Sequence, residues 1–182
     1  IEISPEFSGA WYRKGAAHLE LEHYDKAVDA FDRTIDLDKL NAQAYFDKGL
    51  ALLHLQKPEK AIEAFDHVLD LIPGYAPAFY HKGMALGLIG MYEEAVLSFN
   101  IALEITPDNT DVLYQKGLAL AKLENYTDAI IVFDTARKID PKRADILYQK
   151  GLSHALLVQH DEAVFSFDRA LELDPGYTDA LY

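Results

Sequence analysis

The chain has 182 residues, half of them apolar, enough for one substantial core or an elongated stack of small ones. Thirty Asp and Glu against seventeen Lys and Arg give a net charge of −13, a field that repels a phosphate backbone and makes nucleic acid a poor partner. The absence of cysteine excludes disulfides and thiolate metal sites.

Residues 1–7 stand apart from the rest of the chain. They carry no basic stretch leading into an apolar one, so no secretory leader is expected, and Ser4-Pro5-Glu6-Phe7 resembles a cloning remnant. No apolar run in the chain approaches the roughly 18 residues of a membrane span. A cytoplasmic protein is the expectation.

From residue 8 the chain repeats. Lys-Gly recurs at Lys14-Gly15, Lys48-Gly49, Lys82-Gly83, Lys116-Gly117 and Lys150-Gly151, each step 34 residues. The first unit, 8–41, has Trp11, Gly15, Ala27 and Phe31, with Lys39 near its end. The second, 42–75, repeats the series as Tyr45, Gly49, Ala61, Phe65 and Pro73. The third, 76–109, has Phe79, Gly83, Ala95, Phe99 and Pro107. Leu113, Gly117, Ala129, Phe133 and Pro141 make the fourth, 110–143, and Leu147, Gly151, Ala163, Phe167 and Pro175 the fifth, 144–177. The tail 178–182 restarts the pattern and reads as the beginning of a sixth unit.

Within a unit numbered 1 to 34, these residues occupy positions 4, 8, 20, 24 and 32. Positions 4, 8 and 11 share one face of a first helix, and 20, 24 and 27 share one face of a second. Small residues at 8 and 20 let two backbones approach, and Phe at 24 fills the space between hairpins. Pro at 32 ends the second helix. A short turn, at Gly90 or Asn125 or ahead of Pro58, divides the two helices. One hairpin cannot bury its apolar face alone, so the units must stack.

This series at this period resembles the tetratricopeptide-repeat (TPR) family over nearly the whole chain. Lys at position 7, where the family usually has Leu, looks like the Lys-Gly variant of many archaeal and bacterial arrays. The resemblance implies an all-α fold, a right-handed superhelical α-solenoid of five helix-turn-helix hairpins plus a partial sixth. It implies a protein-binding scaffold or adaptor rather than an enzyme, with no cofactor.

The residues agree with a non-catalytic reading. The motifs GxxxxGK[ST], GxGxxG, GxSxG and HExxH are all missing. The seven histidines are scattered, and His154 and His160, six apart, are poorly spaced for a shared metal. His18 and His154, at position 11, are expected to be buried and satisfied. Lys at position 7 faces a recurring Asp at position 25. Counting an antiparallel hairpin predicts Lys48 beside Asp66, Lys116 beside Asp134 and Lys150 beside Asp168, with Lys82 facing Asn100.

The resemblance places a concave groove on the first helices, where helical spacing also points positions 5, 6, 9 and 12–13 the same way. Position 5 reads Tyr12, Phe46, Tyr80, Tyr114, Tyr148, an aromatic row. Position 9 adds Leu50, Met84, Leu118 and Leu152, and position 6 gives Arg13, Asp47, His81, Gln115 and Gln149. Lys122, at position 13, joins the same groove. Such a surface suits a peptide or amphipathic helix of another protein. The basic residues by which one branch of the family clamps acidic tails are missing, and Asp111 and Asp145 stand at position 2. An apolar or basic segment is therefore the expected ligand. Two other readings stay open: the interaction part of a larger enzyme, or a module that associates weakly end to end. For the last, Val164, Phe167 and Leu171 would be left open at one end, with Trp11 on a matching surface at the other.

Overall fold

A computed structural model describes residues 7–176. Its ten helices alternate between 13 and 14 residues. The first helices of the hairpins are α1 (Ser8–Glu20), α3 (Ala42–His54), α5 (Ala76–Leu88), α7 (Thr110–Lys122) and α9 (Ala144–Leu156). The second helices are α2 (Tyr24–Leu37), α4 (Pro58–Leu71), α6 (Tyr92–Ile105), α8 (Tyr126–Ile139) and α10 (His160–Leu173). First helices begin at intervals of 34 residues, the period read from the sequence. Among the described residues there is no strand, and no helix is long and apolar enough to cross a membrane. The tail 178–182 and residues 1–6 lie outside the described residues.

The chain divides after Gly90 into two compact units. In the first, α1 packs on α2 and α3 on α4, while α2 packs on α3 and α4 on α5. In the second, α6 packs on α7 and α8 on α9, with α7/α8 and α9/α10 as hairpins. First helices also touch one another, α1 with α3, α3 with α5, and α7 with α9.

Close approach at position 8 explains the glycine. A methyl group on Gly117 would stand 2.4 Å from Cε1 of Phe133, and one on Gly49 would stand 2.5 Å from Cε1 of Phe65. The rings of Phe31, Phe65, Phe133 and Phe167 thus press an edge against the backbone of their own first helices. Phe31, Phe65 and Phe133 are completely buried, and Ala27, Ala61 and Ala129, one turn before them, are too.

Each first helix ends the same way. The residue at position 15 takes a left-handed backbone: Glu22, Gln56, Gly90, Glu124 and Val158 have φ of 58, 55, 81, 59 and 61°. This turn lets the next N–H reach back to a carbonyl of the last helical turn, as His23 N does to His18 O at 2.8 Å and Gln159 N to His154 O at 3.0 Å. Only Gly90 announces the conformation in the sequence. The other four non-glycine residues hold a strained conformation because the hairpin closure over-determines it.

The lysine ladder runs between hairpins, not within them. Lys48 Nζ lies 2.5 Å from Asp32, Lys82 Nζ 2.5 Å from Asp66 and Lys150 Nζ 2.7 Å from Asp134. The expected pairs Lys48–Asp66, Lys116–Asp134 and Lys150–Asp168 are not formed. The reason is rotational. Gly at 8 and Phe at 24 face each other, and position 7 is turned about 100° from 8, as 25 is from 24. Because the helices are antiparallel, these two turns send Lys to one flank of the hairpin and Asp to the other. The Lys therefore meets the Asp of the preceding hairpin. Lys116, whose counterpart in that register is Asn100, makes no ion pair among the described residues. Burial lowers its pKa, with Asp128 opposing in part.

The same rotation explains a buried row that the sequence reading missed. Positions 3 and 10 face the preceding hairpin, so Ala44, Ala51, Ala78 and Ala85 are completely buried, as is Ile146. Position 11 also departs from expectation. His18 and His154 are half-buried rather than enclosed; Nδ1 of His18 is buried with no partner, while Nδ1 of His154 meets Gln159 Oε1 at 2.7 Å.

Candidate functional site

The first helices carry the candidate surface, built separately in the two units. Its footing is the core. Position 5 sits three residues before the glycine, so its ring leans on the Phe beneath. Ring centroids are 6.0 Å apart for Tyr12 and Phe31, 5.8 Å for Phe46 and Phe65, 6.2 Å for Tyr114 and Phe133, and 5.7 Å for Tyr148 and Phe167. The aromatic row is thereby held in place rather than free to rotate.

In the first unit, Tyr12, Leu50, Tyr80, His81 and Met84 are half-buried and Arg13 is exposed. Two expected surface residues are corrected. Phe46 and Asp47 are each only 8 % exposed. Phe46 is enclosed by Tyr75, edge-on at 5.3 Å, and by His81 at 5.5 Å, so it is core rather than contact surface. Asp47 is clamped between α1 and α3, accepting the Tyr12 hydroxyl and the Gln43 side-chain amide, both at 2.9 Å. Burial raises the Asp47 pKa against the pull of these two donors, and burial together with the carboxylate pushes the Tyr12 hydroxyl up to about 12. A carboxylate with both oxygens taken is no ready anchor for a basic ligand.

Burial also sets the state of His81. Its ring stacks on Phe65 at 5.8 Å and meets Tyr80 at 4.9 Å, and desolvation lowers its pKa from 6.5 to about 4. Since the folded pKa lies below the unfolded one, His81 contributes stability that is whole above pH 6.5 and is lost as pH falls toward 4. For a partly exposed ring, this amounts to about 1–2 kcal/mol. We expect urea midpoints of the wild type to fall over this window more steeply than those of His81→Phe. Parallel pH profiles for the two proteins would contradict the assignment.

In the second unit, Tyr114, Gln115, Leu118, Tyr148, Gln149 and Leu152 are half-buried and Lys122 is exposed. Arg143, which sequence reasoning passed over, organises this face. It stands at the N-terminus of α9. Its guanidinium bonds Asp111 Oδ1 at 2.6 Å and is bidentate on Asp145, at 2.6 and 3.1 Å. Its Cζ lies 4.9 Å from the Tyr114 ring centroid. Asp111 and Asp145 are therefore partly neutralised, which weakens the local repulsion of acidic segments expected from them. A signal was present: position 34 is the loop residue two before position 2 of the next unit, and both Arg143 and its counterpart Tyr75 fold back onto the position-5 ring of their own unit. Among the described residues, no three acidic or histidine side chains are grouped to hold a metal ion.

A profile of the tetratricopeptide repeat matches residues 12–76, 80–144 and 114–178. Comparison with curated protein sequences gives no match. Among solved structures, YrrB, described as a TPR protein with an unusual peptide-binding site, superposes with a TM-score of 0.85 at 22% identity, over 97% of this chain and 91% of its own. MamA superposes with a TM-score of 0.89 at 22% identity, over 96% of both chains. MamA from Desulfovibrio magneticus RS-1, from its residue 41 to the end, gives 0.89 at 22% identity, over 93% of this chain and 96% of its own.

Proposed function

Because the chain belongs to the tetratricopeptide-repeat family, whose modules generally serve as non-catalytic interaction scaffolds, we propose that it holds a segment of another protein against its first helices and is not itself an enzyme. The observation that carries this is the aromatic row on a rigid footing. Tyr114 rests on the buried Phe133 and Tyr148 on the half-buried Phe167, with Leu118 and Leu152 one turn further along. Half-buried tyrosines offer large contact area at low entropic cost, and the aliphatic neighbours supply the apolar part. YrrB, similar in fold, is described as peptide-binding, which supports the same use of this one.

The ligand is an apolar or basic segment rather than an acidic tail or a nucleic acid. The basis is now the net charge of −13 more than the local carboxylates, since Asp47 is buried and Arg143 ties up Asp111 and Asp145. Replacing Tyr114 and Leu118 together by Ala should weaken binding of the partner isolated from the source cell by about tenfold or more, on the scale of two interface anchors. The circular dichroism should stay that of the wild type. Undiminished binding by the double variant, or tight binding of an acidic C-terminal peptide to the wild type, would overturn the reading.

A further inference from the structure

A cleft between the two helices of a hairpin opens on the flank that, inside the stack, meets the preceding hairpin. In the second hairpin, this cleft holds about 380 Å³, and Val28, Asp32 and Ile35 of α2 form one of its walls. Asp32 of that wall makes the ion pair with Lys48. The first hairpin has the same cleft, about 300 Å³, lined by Trp11, Lys14, His18, Lys26 and Arg33 among others. Among the described residues, no second helix closes it. Lys14 is the ladder lysine of this hairpin, and its Nζ sits 4.6 Å from the Trp11 ring centroid rather than on a carboxylate. His18 Nδ1, lacking a partner, is in the same cleft.

The missing wall exists elsewhere in the chain. On α10, the positions equivalent to Val28, Asp32 and Ile35 are Val164, Asp168 and Leu171. Val164 is 58 % exposed, while its equivalents Val28, Ile62, Val96 and Ile130 are half-buried. Asp168 is exposed and is the ladder aspartate for which the described residues supply no lysine. The two surfaces complement each other in shape class and in charge: a basic cleft on α1 and α2, and an apolar ridge with one carboxylate on α10.

We propose that α10 of one copy docks in the cleft of the first hairpin of a second copy, with Asp168 paired to Lys14 across the interface. The contact repeats the one that joins hairpins inside the chain, so it is heterologous and can propagate. It uses a different surface from the aromatic face of the proposed function and does not depend on it.

Sedimentation velocity on the 182-residue chain, from about 10 μM to about 1 mM, tests this with charge reversals. Lys14→Glu and Asp168→Lys each weaken self-association roughly fivefold to tenfold. Both residues are exposed, so both variants keep the wild-type circular dichroism. The two changes move the net charge from −13 in opposite directions, to −15 and to −11. A mere effect of overall repulsion would weaken one and strengthen the other; the pairing weakens both. An equimolar mixture of the two variants recovers association, as does the double variant. A wild type that stays a single chain throughout, opposite effects of the two reversals, or a mixture that behaves as its separate components would overturn the proposal.

Discussion

Replacing Phe133 by Ala lowers the stability of the protein by about 3–5 kcal/mol, the range for removing a large aromatic from a packed interior. Phe133 is completely buried and meets α7 both at the Gly117 backbone and at the Tyr114 ring. The cavity cannot close by a local shift, because the same ring separates two helices whose spacing is also fixed by their neighbours in the stack. Phe167, its counterpart on α10, is only half-buried, so Phe167→Ala should cost clearly less. Urea denaturation followed by far-UV circular dichroism reads both. Equal losses at the two sites would mean that burial within the stack does not grade stability as the structure implies.

Gly117→Val is the second large effect, about 3 kcal/mol of destabilisation in a helix where valine would ordinarily cost no more than glycine. The added Cβ alone would lie 2.4 Å from Cε1 and 2.7 Å from Cζ of Phe133. A phenylalanine ring wedged between two helices has no flexible end to move aside. The two predictions are coupled. In a Phe133→Ala background the valine has room, so its cost should fall to well under half, a coupling of about 1–3 kcal/mol. Additive losses in the double variant would show that the close approach at position 8 is not what selects glycine.

These packing relations were the most legible part of the sequence. A 34-residue recurrence of Gly, Ala and Phe gives both the helical faces and the reason to stack, and helix starts follow the period in the structure. Other features depended on direction around the helix axis rather than on spacing along it. Lys at 7 and Asp at 25 recur in register, which suggests pairing within a hairpin, yet the antiparallel geometry turns them to opposite flanks. Glu22, Gln56 and Glu124 gave no hint of a left-handed backbone, because the conformation is imposed by hairpin closure and not by the residue. Val158, a β-branched residue at the same position, is the strongest case.

The candidate surface was legible as rows but not as individual environments. Periodicity brought Tyr114, Tyr148, Leu118 and Leu152 onto one face, where the structure also has them half-buried together. It could not tell that Phe46 and Asp47 on that same face are covered, since the covering groups come from a loop residue, Tyr75, and from side chains on two different helices, Tyr12 and Gln43. Arg143 was passed over because a loop position carries no helical period. It nonetheless alters the electrostatics of the second unit's surface, because it joins the two carboxylates expected to repel acidic ligands.

Site-specific photo-crosslinking in the source cell tests most directly the claim that the first helices form the binding face. A photoreactive residue is placed either at Gln149, half-buried on the first helix α9, or at Lys138, exposed on the second helix α8. Binding on the first helices predicts a discrete covalent adduct with one partner protein from position 149, lost when Tyr114 and Leu118 are both Ala, and none from position 138. An adduct from position 138 alone, or one from 149 that survives the double substitution, would contradict that claim.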